Sequence, residues 1–167
     1  KIKFFLNKMK IGIISKKKIE DQNFWSGTIN KVYKTLLNNG IDIVKIENLT
    51  DYPRKYYLIK REYNKIIKKK KFDENYNINL AKFFAIQIEK KIKKIHKLDY
   101  LLCFDFSLIS YLKTDIPIII WTDILYTDYY NHYFNNEVIH KDTVKDIKYL
   151  EEKAIKKSEI ILFSSSW

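Results

Sequence analysis

The sequence predicts an α/β fold, a parallel sheet with helices on both faces. Short apolar runs recur along the chain, and segments with helical spacing of apolar residues separate them. Parallel neighbours need crossover connections, so strand and helix must alternate as they do here. The first run, moreover, has the near-continuous apolar character of a strand covered on both faces.

That run is Lys10-Ile11-Gly12-Ile13-Ile14-Ser15, ending in a small polar residue. A polar loop, Lys16 to Phe24, follows it. Ser26 is placed to cap a helix whose apolar residues Ile29, Val32, Tyr33, Leu36 and Leu37 share one face, and Gly40 is placed to end it. Ile41 to Ile46 alternates strictly and reads as a second strand, half exposed and near a sheet edge. From Asp51 to Asn77 the periodicity is weak, and Pro53, Tyr56-Tyr57 and the run Lys68 to Lys71 suggest an irregular excursion with one short helix.

Helical spacing returns from Asn79 to about His96 through Leu80, Phe84, Ile88, Ile92 and Ile95. Tyr100 to Phe104 is the third strand, and Ser107 to Leu112 has room for one or two helical turns. Pro117 to Trp121 is the fourth strand, its proline suited to a strand start and its end, Thr122-Asp123, polar. An aromatic and polar loop is expected from Ile124 to Asn136. Thr143-Val144-Lys145-Asp146 has the spacing of a capping box and announces a last helix, cored by Val144, Ile147, Leu150 and Ala154. Glu159 to Phe163 is the fifth strand, followed by Ser164-Ser165-Ser166-Trp167.

The 167 residues, 46% of them hydrophobic, suit one domain with a single core. A net charge of +12 would ordinarily point to a polyanion. Arginine, however, occurs only at Arg54 and Arg61. Base readout favours the arginine fork, so nucleic acid is an unlikely partner. The lysine groups Lys16 to Lys18, Lys68 to Lys71 and Lys90 to Lys94 read chiefly as compositional bias, with peripheral contact to an anionic membrane as the alternative. Cys103 is alone, so there is no disulfide framework, and a cytoplasmic chain is expected. No run reaches the roughly eighteen apolar residues of a membrane span. The start, Lys1 to Lys8, is too short in apolar core for a signal peptide. His132 and His140 lack a third ligand at metal spacing and His96 ends a lysine-rich helix, so no metal site is expected.

In parallel sheets of this kind ligands bind beyond the carboxyl ends of the strands. That rule selects residues 15–28, 105–110, 122–136 and 164–167. Gly27 at a helix start permits close backbone approach, and the free amides there suit an anion or a polarised hydroxyl. With three glycines in all and neither Gly-x-Gly-x-x-Gly nor a Walker A pattern, dinucleotide or triphosphate binding is not expected.

The turn Phe24-Trp25-Ser26-Gly27-Thr28 between a strand and an amphipathic helix resembles the opening of family 4 glycosyltransferases of the GT-B fold. The segments Pro117 to Asp123 and Glu151 to Trp167 are similar to that family's strand into the cleft and to its helix-strand pair before the second domain. The resemblance implies a Rossmann-like amino-terminal domain over residues 1–167. It implies transfer of a sugar from a nucleotide-sugar donor to a glycan or lipid-linked acceptor, without a further cofactor. The donor-binding carboxy-terminal domain would be absent, and this portion alone inactive. Trp25, Ser26, Gly27, Thr28, Thr122, Tyr126, Ser164 and Ser165 would line the cleft. Asp123 would stand where related enzymes place a polar residue, often histidine, and would orient or partly deprotonate an acceptor hydroxyl. The bland alternative is a turn cap, with Asp105 and Asp128 as rivals for the role. Tyr126, Tyr129, Tyr130, Tyr133 and Phe134 form either a sugar-stacking platform or ordinary packing. The competing functional class is a non-catalytic Rossmann-like or flavodoxin-like binding module with a basic surface.

Overall fold

Each apolar run becomes a strand: β1 Lys10–Ile14, β2 Asp42–Ile46, β3 Tyr100–Cys103, β4 Ile118–Thr122 and β5 Ile160–Phe163. The computed structural model describes residues 9–73, 75–133 and 139–164. All five strands are parallel, in the order β2-β1-β3-β4-β5. The α/β fold with a Rossmann-like parallel sheet is therefore present, and β2 lies at an edge as its alternation predicts.

Among the described residues six helices supply the crossovers: α1 Thr28–Asn38, α2 Arg54–Ile67, α3 Ile78–Ile92, α4 Phe106–Ile109, α5 Tyr126–Tyr133 and α6 Lys141–Lys157. Alternation along the strands feeds two cores. Ile11, Ile13, Leu102 and Phe104 face α1, where they meet Ile29 and Val32. Ile14, Leu101, Cys103, Ile118 and Ile120 face the other way, onto Leu80, Phe84 and Ile88 of α3, α4, and Ala154 of α6. Each fully buried aliphatic chain in these layers contributes roughly 1.5–3 kcal/mol. Gly12 is closely packed against the second layer: an added Cβ would lie 3.0 Å from side-chain carbons of Ile46, Leu98 and Leu101.

Helices thus cover both faces, but unevenly. On the α1 side Ile119 and Trp121 are only half-buried. Their register partners on β5, Ile160 and Leu162, are exposed.

Four expectations about local structure are corrected. The segment before α3 holds α2, a full 14-residue helix rather than one short one. Ser26 does not cap α1: the N-cap is Gly27, in a left-handed conformation and without a side-chain cap. The expected loop from Ile124 contains α5. The last helix starts before Thr143, at Lys141, because His140 is its N-cap and accepts the Asp142 amide at 3.2 Å. Thr143 Oγ1 is instead occupied by the amide of Asp73 at 3.1 Å.

Candidate functional site

The chain runs from β1 outward to β2, then back across to β3 on β1's other side, so the topological switch point lies between β1 and β3. A crevice of about 500 Å³ opens there, at the carboxyl ends of β1, β3 and β4. Its walls come from Lys16 after β1, Asp105 after β3 and Thr122 and Asp123 at the end of β4. Phe24 and Trp25 form one flank, and Asp73, Tyr76, Tyr126, Tyr129 and Tyr130 the other.

The Trp25 flank is held by an unusual turn. Trp25, Ser26 and Gly27 have φ of 52°, 50° and 74°, three successive left-handed residues. Such backbone costs on the order of 1–2 kcal/mol for each non-glycine residue. Gly27 is buried, and a Cβ there would meet the Gln22 carbonyl oxygen at 3.2 Å. Of the turn, Phe24 and Trp25 line the crevice, while Ser26 points to solvent and Gly27 and Thr28 do not line it.

Three carboxylates approach the crevice, and their hydrogen bonds divide their roles. Asp105 Oδ2 pairs with Lys16 Nζ at 2.7 Å, and its Oδ1 accepts the Ser107 amide and hydroxyl at 2.8 and 2.6 Å. Asp73 Oδ2 accepts the Tyr130 hydroxyl at 2.5 Å, and its Oδ1 accepts the Asn75 amide at 2.9 Å. Both oxygens of each are thereby committed to the fold. Asp123 is exposed; its Oδ1 accepts the Ser164 hydroxyl at 2.5 Å, and its Oδ2 accepts nothing among the described residues. Thr122 is turned inward, its hydroxyl donating to the Ile124 carbonyl at 2.8 Å.

The tyrosines split likewise. Tyr126 and Tyr76 pack ring to ring at 4.7 Å, and Tyr126 meets Phe106 edge-on at 5.5 Å. Burial, aided by the Asp105 charge, raises the pKa of both phenols well above the ordinary value. Tyr130 is buried, and its phenol is raised first by desolvation and then by Asp73. These three groups therefore stay protonated and can only hydrogen-bond or pack. Tyr129 and Tyr133 remain exposed. Of the expected platform, Tyr130 is buried and Tyr126 half-buried in the crevice wall, and Tyr129 is exposed at the crevice.

The floor is tied to α6 by Glu151. Its buried carboxylate accepts the Tyr126 amide at 2.6 Å and the Thr127 amide at 3.2 Å, and also receives the Thr127 hydroxyl. This caps α5 from another element, where ionised carboxylates suit a helix N-terminus. Burial outweighs those bonds and raises the Glu151 pKa. Nearby, Cys103 is inert: burial pushes its thiol up to about 12.

Asp73 and Tyr76 escaped the sequence reading, and Lys16 entered it only within the segment 15–28 and as one of the lysine groups. Lys16 had a signal, since it follows β1 at the carboxyl edge of the sheet. It is paired with Asp105 in the crevice wall. Asp73 and Tyr76 lie in the weakly periodic stretch and had none. His132 is exposed beside Asp123 and Phe163, in a side cavity of about 300 Å³. Among the described residues no group of three histidine, cysteine or acidic side chains gathers to hold a metal ion. Ser165, Ser166, Trp167, Phe134 and Asn136 lie outside the described residues. Comparison of the chain with protein-family models, with curated proteins and with solved structures finds no match to any of them.

Proposed function

We propose that this chain is the acceptor-side domain of a glycosyltransferase, and that the crevice over β1, β3 and β4 receives the acceptor sugar. The observation that carries the reading is the pairing of an open carboxylate oxygen on Asp123 with the half-buried ring of Trp25 and the exposed ring of Tyr129 around one crevice. Sugars present a flat apolar face bounded by hydroxyls, so a ring to stack on and a carboxylate to accept one hydroxyl are the two groups a pyranose needs. Asp123 then orients the attacking hydroxyl and accepts its proton as that oxygen bonds to the donor's anomeric carbon and the bond from that carbon to the nucleotide phosphate breaks, the nucleotide leaving with the electron pair. The resemblance assigns the nucleotide-sugar donor to a second domain facing this crevice, with Ser26, Gly27 and Thr28 at the start of α1 toward its phosphates.

The test is sugar transfer by the protein carrying this chain, offered a panel of nucleotide sugars and read by mass spectrometry of the product. Asp123→Asn is expected to lower kcat by about 10²–10⁴-fold with the thermal midpoint unchanged. Absence of transfer from every donor would count against the reading. So would full turnover in the Asp123 variant.

A second reading has its own observation. A groove of about 700 Å³ lined by Arg54, Arg61, Lys65, Lys69, Lys70 and Lys71 adjoins the crevice and shares Lys71, Asp73 and Asn75 with it. A non-catalytic binding module for an anionic ligand would use that groove. It would bind without turnover and would not depend on Asp123.

A further inference from the structure

Helix α2 packs on the molecule through one narrow face. Tyr57 and Asn64 are buried. The Tyr57 hydroxyl accepts from Asn79 Nδ2 at 3.3 Å, and Lys60 reaches Asp142 on α6 at 3.0 Å. The opposite side is apolar and lies in solvent. Tyr56, Ile59, Tyr63, Ile66 and Ile67 are 53% to 72% exposed, and Tyr52 in the preceding turn is 76% exposed.

At 3.6 residues per turn these positions fall within an arc of about 100°, so they form one continuous stripe. Single exposed apolar residues are ordinary, but a contiguous set marks a surface that something covers. Cations rim it: Lys55 lies alongside, and Lys68, Lys69, Lys70 and Lys71 follow the last turn. Lys55 and Lys68 lie 5.9 Å from the ring centres of Tyr52 and Tyr63. The local carboxylates, Asp51 and Glu62, are paired with Arg54 and Arg61.

We propose that α2 docks in the plane of an anionic lipid surface. Ile59, Ile66 and Ile67 enter the boundary between headgroups and acyl chains, the tyrosines sit at headgroup level, and the lysines meet lipid phosphates. Among the described residues no helix is long and apolar enough to cross a membrane, so the contact is peripheral. Charge selects lipid over a second copy of the chain: a symmetric self-contact would bring the lysine rims of two stripes together, whereas an anionic surface complements them. No residue of the apolar stripe lines the crevice, although Lys71 of its rim does, so the variants that test the inference are placed at Ile59, Ile66, Lys55 and Lys68, which do not.

Co-sedimentation with vesicles of phosphatidylcholine, with and without phosphatidylglycerol, tests it. Binding to the anionic vesicles alone is expected, weakening as salt rises. Ile59→Asp with Ile66→Asp should reduce it by more than about ten-fold. Lys55→Gln and Lys68→Gln should each cost about five-fold. Ile86→Asp, at an apolar residue of α3 that is 51% exposed, should change nothing. Circular dichroism confirms that each variant is folded. Absence of binding by the folded wild-type chain would overturn the proposal, as would an equal loss in the Ile86 variant. Self-association abolished by Ile59→Asp, without vesicle binding, would assign the stripe to a second copy and overturn it as well.

Discussion

Gly27 illustrates how one residue can look like a ligand contact and act on the backbone. Its φ of 74° and the 3.2 Å approach of a hypothetical Cβ to Gln22 both exclude a branched side chain. Gly27→Val is expected to destabilise the fold by about 2 kcal/mol, read as a lowered midpoint in denaturant. Any activity lost in that variant would then reflect folding, whereas loss in Asp123→Asn would reflect chemistry. His140 is a second such residue. It is buried as the cap of α6, and desolvation lowers its pKa below the ordinary value. The unfolded chain takes up this proton below about pH 6.5 while the folded chain resists it, so stability is full above that pH and is lost as pH falls through the lowered value. His140→Asn, retaining a capping acceptor, should flatten the fall in thermal midpoint between about pH 7 and pH 5. An unchanged slope would remove His140 from the account.

At the scale of elements, what was legible in the sequence was what depends on near neighbours. All five strands and the amphipathic face of α1 follow from spacing a few residues wide, and so does the core face of α3. Helix α5 was not legible, because its cap is supplied across a separation of 25 residues by Glu151, and its tyrosine-rich composition favours no element strongly. His140 displaced Thr143 as a cap for a related reason: the Thr143 hydroxyl is bound by Asp73, 70 residues away. Within the candidate site the same division holds. Asp123 and Trp25 follow from strand ends and a glycine turn, while Asp73 arrives through a tertiary hydrogen bond that no local pattern encodes. Glu151→Ala tests the long-range cap. It should destabilise the protein by about 1–3 kcal/mol and speed amide exchange across residues 126–133 more than elsewhere. Equal exchange throughout the chain would mean that α5 does not depend on the cap.

For the molecule as a whole, topology decides where chemistry can occur. The order β2-β1-β3-β4-β5 puts the switch point between β1 and β3. There the Lys16–Asp105 pair joins the segments after β1 and β3 and forms one wall of the crevice, with the aromatic residues and Asp123 around it. The apolar stripe of α2 belongs to a different surface, so membrane contact and ligand binding can be altered separately. The central claim is that the crevice holds a sugar. An amide chemical-shift titration of the isotope-labelled chain with neutral and acidic saccharides tests it most directly. Saturable shifts confined to Lys16, Trp25, Asp123, Ile124 and Tyr129, weakened by Tyr129→Ala and by Asp123→Asn, are the expected result. Shifts confined to residues 54–71, or none with any saccharide, would contradict the claim.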